Sequence, residues 1–510
     1  MKGAPLYLGI DVGTSSVKAL LVSSDGQVVG RASSGYGLII PRIGWTEQRP
    51  EDWWQAVRQA VRQVLAAGFD PSDVEGIGLT GQMHDLVLLD SRGDVVRPAI
   101  LWNDQRTEEQ VAEIRRKVDL STFIRVTGSA PQTGFTAPKL LWVKENEAEN
   151  FEKARSFLLP KDYVGLRMTG QKATDVNDAS GTSLFDVERR DWSQELFSEL
   201  GLPMDMAPPV LESQEVRGEL VSDVSAEFGL RRGIPVAAGA GDAGAGALAA
   251  GAVGGGLASL MVGTAGQVVV GTDRYRYDAR GRLHTWCQPV PGRWHVMGAI
   301  LSAGGSLRWL RDALAAEERV VAELSGSDAY DLLAMEASLA PPGSDGLIFL
   351  PYLSGERSPH GDPSARGVFF GLSLSHGKRQ MARAVMEGVA YAFMDSVQAI
   401  AELGIQVRAY RMVGGGARSG LWRSIMADVL GAPVELPLVD EGSSYGASLL
   451  SMVASGAEKD VGQLADRVVR ARETVVPDPG RSALYSRGYS VYKQLYPALK
   501  DLFKELRKVS

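Results

Sequence analysis

Two strand-turn-strand segments of this sequence follow the same plan. Residues 7–21 and 257–271 each place a short apolar run on either side of a Gly-Thr turn. The glycines that open the two turns, Gly13 and Gly263, lie 250 positions apart in a chain of 510 residues. A repeat at about half the chain length predicts two similar domains. It excludes a solenoid, whose repeats are only about 20–50 residues long.

The segments that follow the first turn predict alternating strands and helices. Apolar runs at residues 6–11, 18–23 and 27–33 predict a three-strand meander, because the Asp-Gly pair between the last two is a strong hairpin signal. From Pro50 to Gly68, apolar residues recur at the three and four spacing of an amphipathic helix. Strands and helices alternate afterwards, so we expect an α/β fold class.

Charge and cysteine content exclude several classes of function. Lysine and arginine number 54 against 61 acidic residues, which gives a net charge of −7, so nucleic acid is not an expected partner. Cys287 is the only cysteine, which rules out an internal disulfide and any CxxC motif. A reducing compartment, the cytoplasm, fits this content best.

One uncharged stretch, residues 243–271, is long enough to cross a bilayer. Nine of its 29 residues are glycine, and each glycine costs a helix about 1 kcal/mol relative to alanine. We therefore expect a buried helix, a tight turn and a buried strand in this stretch, and no membrane partner.

The two Gly-Thr turns are candidate phosphate sites, because a tight turn holds backbone N–H groups and a hydroxyl in fixed positions. Either turn alone is better explained as an ordinary hairpin, and it is their pairing that raises the case for two phosphates. Asp11 ends the first strand beside one turn, whereas Met261 holds that place in the other. An acidic group beside phosphate suggests a bridging Mg²⁺; the alternative is that Asp11 satisfies the amides of its own turn.

Residues 239–244 match the G-x-G-x-x-G pattern of dinucleotide sites after an apolar strand. The acidic residue expected about 20 positions later is missing, since none occurs before Asp273. The segment still places Asp242 at the carboxyl end of a strand and the start of a helix, where α/β proteins hold reacting groups. The alternative role of Asp242 is to cap that helix.

Three further glycine-rich segments have the composition of known motifs. Residues 442–446 match the nucleophile elbow of α/β-hydrolases, but no histidine follows Ser444 as that fold requires. Residues 371–378 fail the Walker A pattern in spacing and in the final hydroxyl residue. Residues 414–418 follow a strand and precede a helix, so their backbone can lie against a flat ligand such as adenine or form an ordinary turn.

Together, the two Gly-Thr turns, the strand-end aspartate and the turn at residues 414–419 resemble the actin-like ATPase superfamily. Within it, residues 134–142 and 416–428 resemble the two signatures of the FGGY carbohydrate kinases. The chain is most similar to the xylulokinase group of that family, from the first strand to about residue 450. The segments that carry this resemblance are residues 44–48, 81–84, 97–104, 158–163, 190–193, 350–357 and 367–372.

The resemblance implies two ribonuclease H-like domains around a central cleft, with residues 1–245 binding the sugar and residues 246–510 the nucleotide. It implies an ATP-dependent kinase that transfers the γ-phosphate to the terminal hydroxyl of D-xylulose, giving D-xylulose 5-phosphate. A small sugar and MgATP are the implied partners, and a homodimer stays open.

By the same resemblance, Asp242 accepts the proton of the attacking sugar hydroxyl, and Asp11 positions Mg²⁺ and the phosphates. This division is coherent, because phosphoryl transfer needs mainly positioning and charge neutralisation, with one carboxylate to take a proton. The other residues that the resemblance assigns are Thr14, Ser15, Lys18, Gly263 and Thr264 for phosphate, Gly304, Gly415, Gly416 and Ala417 for the nucleotide pocket, and Met83, His84, Asn103 and Asp104 for the sugar.

Two positions depart from the xylulokinase pattern. Ala243 stands where that group has Asn after the catalytic Asp, and Asp85 stands where it has Gly after Met-His. The hydroxyl that the Asn would bind needs another partner, for which Asp85 and Asn103 are candidates. Another ketopentose (L-xylulose or D-ribulose) or a pentitol therefore stays open as substrate. A more distant alternative is an actin-like or Hsp70-like ATPase without a sugar substrate.

Overall fold

The computed structural model describes residues 3–506; residues 1–2 and 507–510, at the ends of the two predicted domain ranges, lie outside the described residues. Contacts divide the described chain into two compact units. The first unit comprises residues 3–253, 271–295 and 441–470, and the second comprises residues 254–270, 296–440 and 471–506. This division differs from the single cut expected after residue 245, because the first unit also takes later segments of the chain.

The strands form two large sheets and several two-stranded pairs. In chain order they are β1 (Leu6–Val12), β2 (Ser16–Ser23), β3 (Val28–Gly35), β4 (Glu47–Gln48), β5 (Val74–Gly81), β6 (Val87–Leu89), β7 (Ala99–Ile100), β8 (Ser156–Leu158), β9 (Thr174–Asp175), β10 (Phe185–Asp186), β11 (Asp191–Trp192), β12 (Val210–Leu211), β13 (Val216–Glu219), β14 (Pro235–Ala237), β15 (Ala240–Gly241), β16 (Leu257–Val262), β17 (Gly266–Thr272), β18 (His284–Cys287), β19 (Trp294–Ile300), β20 (Ile348–Leu350), β21 (Val368–Phe370), β22 (Ala409–Val413), β23 (Val434–Pro437) and β24 (Ala471–Val475).

The α-helices range from five to 28 residues in length. In chain order they are α1 (Pro50–Leu65), α2 (Glu108–Lys117), α3 (Leu120–Thr127), α4 (Thr136–Asn146), α5 (Ala148–Lys153), α6 (Pro160–Thr169), α7 (Val176–Ser180), α8 (Gln194–Leu200), α9 (Ser222–Phe228), α10 (Asp242–Ala249), α11 (Gly304–Leu314), α12 (Ala316–Ser325), α13 (Ala329–Ser338), α14 (Lys378–Glu402), α15 (Gly420–Leu430), α16 (Ser443–Ala454), α17 (Val461–Val468) and α18 (Pro479–Leu506). Short 3₁₀ turns lie at Pro71–Asp73, Met204–Met206, Ser344–Gly346 and Gly415–Arg418.

The large sheet of the first unit has the strand order β3-β2-β1-β5-β14-β13. Strand β1 pairs antiparallel with β2 and parallel with β5, which also pairs parallel with β14. Helix α1 begins at Pro50, as predicted, and buries Trp53, Val57 and Val61 in the same core as Ile10 of β1. Each such side chain contributes roughly 1.5–3 kcal/mol of burial free energy, so this layer fixes the position of β1.

Helix α16 packs on this sheet although it comes from the last quarter of the chain. A Cβ atom added at Gly9 or Gly78 would lie 2.1 Å or 1.8 Å from a backbone carbonyl oxygen of α16. A Cβ atom at Gly446 of α16 would lie 2.1 Å from the Ala245 carbonyl oxygen of α10. Only glycine allows such close approach. These contacts explain why residues 441–470 belong to the first unit.

The sheet of the second unit repeats the plan of the first. Its strands lie in the order β19-β17-β16-β22-β23-β24, with β16 antiparallel to β17 and parallel to β22. Residues 13–15 connect β1 with β2, as residues 263–265 connect β16 with β17. The structure confirms the predicted α/β fold class and the ribonuclease H-like plan of both sheets.

The uncharged stretch at residues 243–271 forms the predicted buried arrangement. Helix α10 ends at Ala249, and β16 and most of β17 follow after a turn. Within residues 3–506, no helix combines the length and the apolar character that crossing a membrane requires.

Candidate active site

Asp242 is the first residue of helix α10, and Gly241 occupies the N-cap position before it. The Gly241 amide donates to Asn177 Oδ1 at 2.9 Å. Met83 packs so closely that a Cβ atom on Gly241 would lie 2.7 Å from its sulfur. Asp242 itself is exposed. The carboxylate is therefore held at a defined and accessible position, and Asp242 is not the N-cap that the sequence left as an alternative.

The Asp242 carboxyl has the acid–base properties of a proton acceptor. The protein atoms crowded around it, and then the negative charge of Asp11, raise its pKa from the ordinary 3.8 to about 7, although the Ala243 amide opposes this shift. Water reaches the group, yet much of its surroundings is protein, which disfavours the charged form. A base whose pKa lies near the working pH combines a large ionised fraction with a strong tendency to take a proton.

Asp11 lies in β1, two residues before the first turn. Its Oδ2 accepts a hydrogen bond from Ser443 Oγ at 2.5 Å, whereas its buried Oδ1 has no hydrogen-bond partner among residues 3–506. Burial raises the pKa of Asp11, and the Ser443 hydroxyl and the Lys18 charge oppose that shift. A carboxylate oxygen left without a partner fits one ligand of a Mg²⁺ ion.

The described chain contains no group of three or more His, Cys, Asp or Glu side chains that could enclose a metal. Mg²⁺ does not need such a cage, because it commonly binds one or two carboxylates and takes its other ligands from phosphate oxygens and water. Asp11 therefore fits the predicted magnesium ligand, and the ion itself stays a prediction.

The first Gly-Thr turn is braced from outside its hairpin. Gln48 Nε2 donates to the Thr14 carbonyl oxygen at 2.8 Å, and the Trp102 indole donates to Thr14 Oγ1 at 3.0 Å. The Tyr36 hydroxyl donates to the Gly13 carbonyl oxygen. These bonds fix the turn and leave Ser15 exposed at its tip.

Lys18, which the resemblance assigned to phosphate, has a partner within its own unit. It faces Asp11 across the β1–β2 pair, and its ammonium forms an ion pair with the Glu441 carboxylate. Arg31 contacts the same carboxylate at 2.9 Å. A phosphate oxygen would therefore have to share Lys18 with Glu441 or displace that carboxylate.

Met83 and His84 lie beside the helix start that carries Asp242. Met83 packs on Gly241, as described above, and a Cβ atom on Gly181 would lie 3.0 Å from its methyl carbon. His84 Nδ1 donates to the Gly181 carbonyl oxygen at 2.7 Å, because a carbonyl can only accept. The structure thus brings Met83 against the Asp242 turn and brings both Met83 and His84 against Gly181.

The two other predicted sugar residues have different surroundings. Asp104 is fully buried, and its oxygens accept hydrogen bonds from the Thr46 amide and from Arg106. It therefore holds its loop together and exposes no atom to a ligand. Asn103 is partly exposed, and its Oδ1 accepts a hydrogen bond from the Thr46 hydroxyl at 2.7 Å.

A cavity of about 350 Å³ lies in the second unit, within the size range of small-molecule sites. Five residues assigned to ATP line it: Gly263, Thr264, Gly304, Gly415 and Gly416. Ala417 is buried and is not one of the lining residues. The lining residues that the sequence analysis missed are Val262, Leu307, Arg308, Asp328, Tyr330, Asp331, Met386, Arg418, Ser419 and Trp422.

The second Gly-Thr turn is tied to the start of helix α11. The Gly304 amide donates to the Gly263 carbonyl oxygen at 2.7 Å, and the Gly305 amide donates to the Thr264 carbonyl oxygen at 2.9 Å. A Cβ atom on Gly304 would lie only 2.6 Å from the Gly263 carbonyl oxygen. The turn and the helix N-terminus are thus held side by side, with these two amides satisfied by carbonyl oxygens of the turn.

Ser444 is not a nucleophile, as the order of the chain predicted. Its hydroxyl donates to the Glu441 carbonyl oxygen at 2.9 Å, and the residue is fully buried in helix α16. Gly446 of this motif serves packing, because it allows the close approach to α10 described above.

The chain matches two family models along most of its length. The N-terminal domain of the FGGY family of carbohydrate kinases matches residues 6–249, and the C-terminal domain of that family matches residues 258–455. A xylulose kinase of Escherichia coli (strain K12) is 38% identical over 498 residues, which cover 98% of this chain and 100% of that protein.

Two further comparisons cover almost all of the chain. A gluconokinase of Bacillus subtilis (strain 168) is 31% identical over 502 residues, which cover 98% of this chain and 96% of that protein. The crystal structure of a xylulose kinase from Rhodospirillum rubrum is similar with a TM-score of 0.89 at 33% identity, covering 98% of this chain and 100% of that one.

Proposed function

The chain belongs to the FGGY family of carbohydrate kinases, and we propose that it transfers the γ-phosphate of ATP to the terminal hydroxyl of D-xylulose, giving D-xylulose 5-phosphate. Members of this family are phosphotransferases that act on a sugar hydroxyl. The observation that carries the chemistry is the exposed Asp242 carboxyl, whose pKa is raised to about 7. D-Xylulose is proposed because the Escherichia coli relative is a xylulose kinase and matches over its full length.

In the proposed reaction, Asp242 takes the proton of the terminal hydroxyl as the hydroxyl oxygen attacks the γ-phosphorus. The new P–O bond forms while the bond from the γ-phosphorus to the bridging oxygen breaks, and ADP leaves with that electron pair. Met83 and His84 orient the sugar so that its hydroxyl meets Asp242. Asp11 would hold Mg²⁺, which would neutralise phosphate charge.

We assign the nucleotide to the cavity of the second unit and the sugar to the first unit. Arg308 and Arg418 are the cationic groups of the cavity lining that could contact phosphate, and Asp328 and Asp331 line the same cavity. The ring of Tyr330, which lines the cavity, is a candidate flat surface for a nucleobase. In the first unit, Thr14 and Ser15 stay proposed phosphate contacts.

Three residues bear on the choice of sugar. Ala243 has no side-chain donor or acceptor, so it cannot make the contact that an Asn would make there. Asp85 is fully buried and therefore does not reach a ligand. Asn103 is partly exposed. We propose that it binds the sugar hydroxyl for which Ala243 offers no hydrogen-bond partner.

A coupled ADP-release assay tests this proposal. Wild-type protein with MgATP is supplied in turn with D-xylulose, L-xylulose, D-ribulose, xylitol and gluconate, and kcat/KM is measured for each. We expect release to depend on sugar and to be fastest with D-xylulose. A tenfold preference for another sugar would overturn the substrate, and release at the same rate without sugar would overturn the reaction.

Asp242→Asn removes the proton acceptor and keeps the size of the side chain. We expect phosphorylation to fall by about 10²–10⁴-fold, the range typical of lost acid–base catalysis, while ATP binding survives. Asp466→Asn, an exposed aspartate of α17, is the matched control. More than half of wild-type turnover in Asp242→Asn would show that Asp242 is not the base.

We also propose the cytoplasm as the compartment. The one cysteine, Cys287, is a buried free thiol, and a chain without disulfides fits a reducing environment.

A further inference from the structure

His84 has an unusual backbone conformation. Its φ of 72° lies in the left-handed region of backbone conformation. Residues other than glycine adopt that conformation at an energetic cost. Such strain persists only where surrounding groups hold it, and it concentrates at functional sites. The groups that hold His84 therefore bear on how the sugar site is formed.

The start of helix α4 holds both the ring and the backbone of His84. Phe135, the residue before the helix, stacks on the imidazole with ring centroids 4.3 Å apart. Thr136 Oγ1 and Lys139 Nζ each donate to the His84 carbonyl oxygen at 2.9 Å. Both side chains are fully buried, so they reach no ligand themselves.

Lys139 also balances a buried charge next to His84. Asp85 is fully buried, and neither of its carboxylate oxygens has a hydrogen-bond partner in the described part of the chain. The charged groups that face Lys139 are Asp85, Asp104 and Arg106, and the last two form an ion pair with each other. Burial raises the pKa of Asp85 well above its ordinary value, and the Lys139 charge is the largest influence that opposes this shift; removing Lys139 would therefore leave the ionised form of this buried carboxyl without its main support.

We propose that Thr136 and Lys139 are positioning residues that hold His84 in the conformation that binds the sugar. The inference rests on the proposed function, since it takes His84 as a sugar contact. Two donors fix the His84 carbonyl oxygen, and the Gly181 carbonyl fixes Nδ1, so both ends of the residue are held. Residues 134–142, which resemble a family signature, thereby gain a physical role.

Thr136→Val and Thr136→Ser form a matched pair for the test. Valine keeps the shape of threonine and removes the donor to His84, whereas serine keeps the donor. A hydrogen bond of ordinary strength corresponds to a change of about three- to tenfold. We expect Thr136→Val to raise the KM for D-xylulose by that factor with kcat and the KM for ATP unchanged, and Thr136→Ser to restore most of the loss. Equal KM values in the two variants would overturn the proposal.

A double-mutant cycle separates action through His84 from a general structural effect. His84→Asn removes the imidazole, and asparagine tolerates the left-handed conformation. In that background, Thr136→Val should not raise the KM for the sugar any further. The same increase in both backgrounds would mean that Thr136 acts by another route and would overturn the proposal.

Substitutions at Lys139 and Asp85 test whether Lys139 acts through the charge of Asp85. Lys139→Met is expected to raise the sugar KM more than Thr136→Val, and adding Asp85→Asn should recover part of that loss. No recovery would overturn the charge-balancing role. If Lys139→Met does not fold, the Thr136 pair decides the proposal alone.

Failure of the proposed function and failure of the positioning role give different results. A wild type without sugar-dependent ADP release would refute the proposed function. A normal wild type together with variants whose KM for the sugar is unchanged would refute only the positioning role.

Discussion

The pKa of Asp242 predicts an acidic limit to activity that an ordinary aspartate would not give. Its carboxyl has a pKa of about 7 because protein atoms and the Asp11 charge disfavour ionisation. With that pKa, the Asp242 carboxyl is ionised, and so able to act as the base, in about a tenth of the molecules at pH 6 and in about a hundredth at pH 5. We therefore expect kcat/KM to fall about tenfold for each pH unit below 7 and to be level above 8. With the ordinary pKa of 3.8, the profile would be flat across this range.

The assay measures ADP release between pH 5 and pH 9 with both substrates below saturation, so that kcat/KM reports the free enzyme. The phosphates of ATP also titrate near pH 6, and the residual activity of Asp242→Asn serves as the control for this. Any acidic limb that persists in the variant belongs to ATP or to the coupling system and is subtracted. A flat wild-type profile, or the same limb in wild type and variant, would refute the assignment of Asp242 as the base.

Three further perturbations test other parts of the structure. Ala243→Asn adds an amide worth about 0.5–1.5 kcal/mol and is expected to improve kcat/KM for D-xylulose up to about tenfold; a lower value, with wild type faster on another sugar, would count against D-xylulose. Gly304→Ala forces a Cβ atom against the Gly263 carbonyl oxygen, and overpacking of about 1–3 kcal/mol should raise the KM for ATP and leave that for sugar unchanged. Burial raises the pKa of Asp395 from 3.8 to about 7, so the folded state binds its proton more tightly, and this stabilisation is lost as the pH rises from about 4 to 7. Asp395→Asn should flatten the Tm–pH curve between about pH 4 and pH 7. An unchanged slope would show that the raised pKa of Asp395 does not cause this pH dependence.

The repeat was predictable because local sequence determines it. A Gly-Thr turn between two apolar runs predicts a hairpin wherever it occurs, and Gly13 and Gly263 both connect antiparallel strands in the structure. The division of the chain was not predictable in the same way. Residues 441–470 join the first unit through contacts at Gly9 and Gly78, and such long-range packing leaves no periodic signal in the segment itself.

The same contrast between local sequence and long-range packing applies to the residues of the candidate site. Gly263 and Gly416 were found because glycine-rich turns are visible in the sequence, Gly304 was found through the family resemblance, and all three line the cavity. Asp328 and Tyr330 line it as well, but they come from the start of another helix and belong to no motif. The type of a residue also does not reveal which other side chains it contacts in the fold. Asp104 carries the charge expected of a sugar ligand, yet Arg106 already binds that carboxylate.

The two hairpins differ at one position that bears on the proposed chemistry. Asp11 and Met261 each stand one residue before the last paired residue of their strand. On the proposed function, Asp11 would hold a Mg²⁺ ion, and such an ion needs only one or two protein carboxylates. A second carboxylate at position 261 would have no ion to hold and would repel the phosphates. A neutral side chain there avoids that repulsion, so on the proposed function the same hairpin would supply a metal ligand in one copy and a phosphate contact in the other.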